Sequence, residues 1–407
     1  MIKISTSKIM VFLCLSFATT TLLQGFSTFD AINRMWTAGI IGVTVTSILV
    51  NRITATNIVT LALTVISTAF SVYYAKGNPR INDVLYLGLW VLFLSYLRNY
   101  YDEFIAALHE NLNLVHVFTL VWTLLVMLSF LYGPSFQADW GGSYFRSFAS
   151  GPHRLASTCL IIMPAAVLLA RVKNTPLYLL YLLLPLVVIL LSGARTYLGV
   201  AFVYIVCVYY TYCSNRRVFY LTLIPFTLLA IVLVLKAPIG DKILSTMDVS
   251  EGDTDAFLSS VTNMRTDFWV YILDYFFSLS PWKQIVGDGA TAVYEVTDAF
   301  FNSRIWAHND IINLLISNGY LGCALYLSTY LSYSKYVFKK TDMHLVLKIG
   351  IVCIWLFNAM FNMVYTYTCA VLAIPLINHT LSLPYKAKNT NDEPLLPWMI
   401  IKYNYDY

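Results

Sequence analysis

Charge is what this chain has least of. Asp, Glu, Lys and Arg make up 12% of its 407 residues, against roughly 25% in soluble globular proteins. Hydrophobic residues make up 58%, and the mean hydropathy is +0.68. That balance excludes a soluble enzyme. An ionised side chain at mid-bilayer costs at least about 2.5 kcal/mol even on lenient insertion scales, so charges belong in short connections and the few near membrane depth carry the interest. The seven cysteines (Cys14, Cys159, Cys207, Cys213, Cys323, Cys353 and Cys369) form no CxxC pair and no Cys/His cluster, so neither a disulfide framework nor a metal site is expected. There is no Gly-rich phosphate loop, no DxD-type acidic pair beside a nucleotide fold and no Ser/His/Asp constellation, which argues against a nucleotide-sugar donor. The net charge of +5 punctuates apolar runs and makes no basic stripe, so nucleic acid is not an expected partner. No internal repeat is evident, and the spans hold almost no ionisable residues, which weakens a transporter reading.

What the chain does have is a series of apolar stretches, each close to the length needed to cross about 30 Å of hydrocarbon. They run over 9–25, 36–50, 57–75, 81–97, 114–132, 155–170, 176–191, 196–212, 218–235, 311–333, 345–362 and 365–383. The expected fold is therefore an all-α polytopic membrane protein of about 12 transmembrane helices. The first stretch follows Lys3 and Lys8 like a signal peptide, but no small-x-small cleavage site comes after Phe17, so it reads as a retained helix. With the N-terminus inside, the inner connections hold Lys3, Lys8, Arg52, Arg98, Arg171, Lys173, Arg216, Arg217, Lys335, Lys339, Lys340, Lys348, Lys386, Lys388 and Lys402. Short outer connections hold Arg34, Lys76, Arg80, Arg146, Arg154 and Arg195. The positive-inside rule then sets both termini in the cytoplasm. The expected organisation is helices one to nine over 1–235, a large outer loop with short helices over 236–307, helices ten to twelve over 308–383, and a cytoplasmic tail over 384–407. Together with a Gly/Ser-rich connection over 133–154, that loop is where chemistry is expected.

Within the large loop, 256–277 reads as a helix. At 100° per residue, Leu258, Phe268, Trp269, Ile272 and Phe276 fall on the face of Arg265, with Asp267 and Asp274 opposite. Arg265 either snorkels from an interfacial helix to lipid headgroups or aims a forked guanidinium at a buried anion. Arg195 sits in the tight outer turn Ser192-Gly193-Ala194-Arg195-Thr196 and carries the same two readings. Two such arginines on one side favour an anion site, because one cation neutralises a phosphate poorly. His308 precedes the tenth span and is followed by Asn309, then by Gly319 and Gly322. Eleven residues make three helical turns, so a continuous helix puts His308 and Gly319 on one face, with Gly322 extending a small-residue strip. Asn309 and Asp310 are candidate caps for a helix N-terminus that faces anions. A histidine there is either a structural hydrogen-bonder or a general base near neutral pH. Arg304, Trp306 and the Gly287-Asp288-Gly289 turn are its neighbours.

Four segments together resemble the O-antigen polymerase and O-antigen ligase superfamily of bacterial envelope enzymes. They are Ser150-Gly151-Pro152-His153-Arg154-Leu155-Ala156, the Ser-Gly-Ala-Arg turn ending at Arg195, Met264-Arg265-Thr266-Asp267-Phe268-Trp269, and His308-Asn309 with Gly319 and Gly322. The resemblance covers about 145–327, and the last segment is its most specific part. Relatives commonly have Asn before Leu-Ala where this chain has Arg154, which leaves the role of Arg154 open. The resemblance implies a metal-independent glycosyltransferase of GT-C-like fold in the bacterial inner membrane, needing no cofactor. Its donor and acceptor would be undecaprenyl-diphosphate-linked glycans. Arg195 and Arg265 would hold the diphosphate, His308 would act as base or bind the acceptor hydroxyl, and Asn309 and Arg304 would complete the substrate-binding set. Membrane lipids, a chain-length regulator and a flippase are the further partners it implies. A polymerase and a ligase use the same donor and differ in acceptor; Trp269 with the Gly287-Asp288-Gly289 turn favours the polymerase.

Overall fold

A computed structural model describes residues 5–77, 79–131, 135–139, 142–213, 215–236, 240, 265–302 and 304–383. The start of the expected loop helix, including Leu258, and the 384–407 tail lie outside these residues. Each of the twelve apolar stretches carries helix. In order they give α1 (Thr6–Leu22), α2 (Ser27–Asn51), α3 (Ala55–Tyr73), α4 (Ile81–Glu110), α5 (Leu112–Ser129), α6 (Pro152–Val172), α7 (Leu183–Leu191, after a 3-10 turn over Pro176–Leu182), α8 (Arg195–Tyr212) and α9 (Arg216–Lys236). Among the described residues three shorter helices of the large loop follow, α10 (Arg265–Ser278), α11 (Pro281–Val286) and α12 (Ala292–Phe301), and then α13 (Asp310–Lys340), α14 (Leu345–Phe361) and α15 (Thr368–Ser382). The helices α3, α4, α5, α6, α9 and α13 are long and apolar enough to cross a membrane. The chain is thus a helical membrane protein.

Composition alone does not tell a buried span from a lipid-facing one. Of the six long spans, α9 has the most apolar window, of mean hydropathy 2.6, and it is 6% buried, whereas the α6 window, at 2.0, is 89% buried. The difference lies in small and polar residues. Lipid tails are as apolar as leucine, so helices associate in a bilayer through close packing and hydrogen bonds. On α6, Thr158 accepts a 2.9 Å hydrogen bond from the Trp122 indole. Between α8 and α14 the contact is steric: a Cβ on Gly199 would stand 2.5 Å from the Phe357 ring, and one on Gly350 would stand 2.3 Å from Cys207 Sγ.

Two expectations need correction, and a third holds over the part that is described. The 133–154 connection is not wholly loop, because β1 (Phe136–Asp139) and β2 (Gly142–Phe145) pair as an antiparallel hairpin with Phe136 opposite Phe145. Phe145 is buried and stacks on Phe130, with centroids 4.3 Å apart. Of the 256–277 helix, the described part begins at Arg265, and its predicted phase holds: Phe268, Ile272 and Phe276 are buried while Asp274 is exposed. Finally, His308 and Gly319 do not share a helical face. His308 precedes the helix with φ +52°, and Gly319 breaks α13 with φ +66° and ψ −166°.

The break has a steric cause. A Cβ on Gly319 would lie 2.3 Å from the Ile285 carbonyl oxygen, and one on Gly287 (φ +90°) would lie 2.4 Å from that of Ser317. Two backbones therefore touch there, tied by Asp288 N–H donating to the Ile316 carbonyl at 2.8 Å. Only glycine combines that approach with a left-handed backbone.

Candidate functional site

At one end of the helix bundle, four segments distant in sequence meet. The first is the end of α14. The last carbonyls of a helix lack intrahelical partners, and the Phe361 carbonyl accepts from both the Arg265 guanidinium of α10 and, at 3.2 Å, the Thr196 hydroxyl of α8. Arg195, the neighbour of Thr196, is close enough to Arg265 to disfavour its charge. The Arg265 guanidinium is pushed down to about 10, by burial first and by Arg195 next, while Tyr367 works the other way. Two cations drawn together in a half-buried place repel, and an anion between them would relieve that.

Four residues along α10, on the same face as Arg265, Trp269 donates from its indole to the Ala307 carbonyl at 2.6 Å. That bond fixes α10 against the residue before His308. The His308 imidazole is held well below the ordinary 6.5, by burial first, then by Arg265, then by His153 at the start of α6. Its Nδ1 is buried with no hydrogen-bond partner. The backbone at His308 is left-handed (φ +52°), a conformation uncommon outside glycine and one that clusters at functional sites. Arg265, Arg195 and His308 thus converge, and each approaches on a separate element.

Other candidates fall elsewhere. Asn309 is the N-cap of α13, its Oδ1 accepting from Ile311 N at 3.0 Å and Ile312 N at 3.1 Å. Its side-chain oxygen is therefore committed to the helix, as the cap reading expects. Arg304 lies exposed on the 302–308 connection, and among the described residues no hydrogen bond or ion pair joins it to the cluster. In the Gly287-Asp288-Gly289 turn, Asp288 accepts from Tyr275 at 2.5 Å and from Lys283 at 2.6 Å, and a Cβ on Gly289 would sit 2.4 Å from Ala75 N. The turn is a clamp between the loop helices, α3 and the break in α13.

His153 is the residue that the sequence does not flag. It lies in a segment that carries the family resemblance, but nothing in its spacing points to a residue 155 positions away. The sequence also leaves open Arg154, which donates to Gln24 Oε1 at 2.7 Å and lines a cleft at this end. That cleft, about 660 Å³ including its open mouth, adjoins the cluster and has Trp306 and Tyr367 in its walls. Among the described residues, no three His, Cys, Asp or Glu side chains are grouped as a metal site requires. No protein-family model, curated protein or solved structure matches the chain.

Proposed function

We propose that the chain is an O-antigen polymerase, which moves undecaprenyl-diphosphate-linked polysaccharide onto the next lipid-linked repeat unit. In this reading it crosses the bacterial inner membrane twelve times, with GT-C-like architecture, both termini cytoplasmic and the cluster facing the periplasm. The observation that carries the reading is the convergence of three segments: Arg265 and the neighbour of Arg195 share the Phe361 carbonyl, and Trp269, on the Arg265 face, holds the residue before His308. An acceptor hydroxyl attacks the anomeric carbon of the donor glycan as the bond from that carbon to the diphosphate oxygen breaks. The two arginines stabilise the charge that develops on the departing diphosphate, which is electrostatic catalysis by groups already in place. His308 takes the hydroxyl proton, for which its neutral form is required. Because both cations are fixed before the reaction, little reorganisation accompanies the charge movement.

The test is genetic. Deletion in a strain with no duplicate gene is expected to leave lipopolysaccharide bearing a single repeat unit. Lipopolysaccharide with no repeat unit would instead assign the ligase reaction, delivery of finished O-polysaccharide to lipid A-core. A normal ladder on a gel sinks both.

A further inference from the structure

We infer that the cleft between the ends of α1, α2, α4 and α6 binds the sugar portion of the acceptor and presents its hydroxyl to His308. The inference rests on the glycosyl-transfer reading and names the ligand of its second half-site. Three observations carry it.

The first is position. The cleft adjoins the arginine–histidine cluster through Trp306, two residues before His308, and through Tyr367, which feels the charges of both Arg154 and Arg265. Neither Arg195 nor Arg265 lines it. A donor whose diphosphate lies on those arginines leaves this cleft for the other substrate.

The second is chemistry. Its cations are already engaged: Arg34 donates to Asp30 at 2.5 Å, Gln24 donates to Asp30 at 2.6 Å, and Arg154 donates to Gln24. What remains toward the cleft is amide, hydroxyl and aromatic, with Asn33, Asn82, Thr37, Tyr86 and Trp306 among its walls. Tyr86 and Trp306 pack edge to face, with centroids 6.2 Å apart at 84°. Neutral amides beside aromatic rings suit a polyhydroxylated ring, which offers hydroxyls on its edge and C–H groups on its faces. Asp30 sets an opposite charge beside both Arg34 and Arg154, so the cleft lacks the uncompensated pair of cations that a diphosphate calls for.

The third is an unmet hydrogen bond. Asn33 is 5% exposed, and its Oδ1 is buried with no partner. A buried acceptor left unsatisfied is costly, because it has given up water without a replacement. A sugar hydroxyl donating to it would remove that cost.

Two probes separate this inference from the reading beneath it. One is the lipid-free repeat-unit oligosaccharide, released by mild acid from the host's own lipid-linked pool. The other is undecaprenyl diphosphate. Each is titrated calorimetrically against the full chain in nanodiscs. Asn33→Ala and Trp306→Leu are expected to weaken oligosaccharide binding about tenfold, near the upper worth of one hydrogen bond, and to leave undecaprenyl diphosphate binding unchanged. Arg265→Ala is expected to do the reverse. Should Asn33→Ala fail to insert, Asn82→Ala in the first turn of α4 serves in its place. The inference is overturned if the wild type does not bind the oligosaccharide, if the cleft variants bind it as the wild type does, or if they lose both probes together. A normal lipopolysaccharide ladder in the deletion strain would remove the polymerase reading while leaving these binding results intact.

Discussion

The arginine–histidine cluster treats charge in the opposite way to the ion pairs found at both ends of the helix bundle, Arg34 with Asp30 and Lys283 with Asp288 being on the cluster's own side. At the end away from the cluster, cations meet carboxylates: Lys8 pairs with Glu110 at 2.8 Å, Arg52 approaches Glu103 at 3.7 Å, and Lys340 pairs with Asp102. At the cluster end, Arg265 has no carboxylate partner among the described residues, and leans on a helix carbonyl with Arg195 and His308 close by. The first arrangement is complete in itself. In the second, like charges are held together, the backbone at His308 is left-handed, and a buried imidazole nitrogen has no partner. Such a place is stable only because the surrounding packing holds it, and it gains most from an anionic ligand. The contrast, more than any single residue, marks where chemistry is to be sought.

The largest effect that bears on this comparison is loss of the site. Arg195→Ala, Arg265→Ala and His308→Ala are each expected to abolish polymer formation, by at least about a hundredfold if each removes one charge-stabilising or proton-accepting group, with the protein still present in the membrane fraction. Complementation of a deletion strain, with an immunoblot of that fraction, measures both. Arg265→Lys sharpens the result. Lysine keeps the charge but offers a point donor in place of a fork, so full activity would leave charge alone, without forked geometry, as the requirement. Wild-type polymer from any of the three alanine variants would remove that residue from the mechanism.

Much of this was legible in the sequence, and what was not has physical causes. Helix positions follow from apolar length, and the inward phase of Arg265 from a 3.6-residue period, because both are local properties. Convergence is not local. His153 reaches His308 only through the packing of α6, and no periodicity encodes that. The same limit explains Gly319, whose spacing from His308 fits an unbroken helix; the break comes from Ile285, on a loop helix that no argument within the tenth span could bring there. Asn309 was readable as a cap because capping is local, and the cap is what it proves to be.

A smaller effect concerns pH. Because the His308 imidazole is held below 6.5, it stays neutral at pH values where an exposed histidine would be protonated. The sign follows directly. Activity that needs the neutral form is fully present above 6.5 and is lost only as pH falls through the lowered value, so the acid limb is expected to lie below 6.5 in an elongation assay on isolated membranes. An acid limb at or above 6.5 would mean an unburied imidazole or another base. Arg265→Lys keeps a cation beside the ring, so the limb is expected to stay put in that variant.

The smallest effect belongs to the paired end. Lys8 and Glu110 are about half exposed, with side-chain exposures of 48% and 58%. Exposed ion pairs are worth about 0–1 kcal/mol, since water screens them and holding two long side chains costs entropy. Lys8→Gln and Glu110→Gln are therefore expected to leave polymer length unchanged and to shift the unfolding midpoint in detergent by no more than that energy allows. A double-mutant cycle over the two positions isolates the pair's own contribution. Failure of Lys8→Gln to make polymer, with its membrane level normal, would break the comparison at its quiet side, because the paired end would then take part in activity. Loss of the protein itself would carry a different meaning: Lys8 lies in the first turn of α1, where a positive charge directs orientation during insertion, and its removal would act before any ion pair has formed.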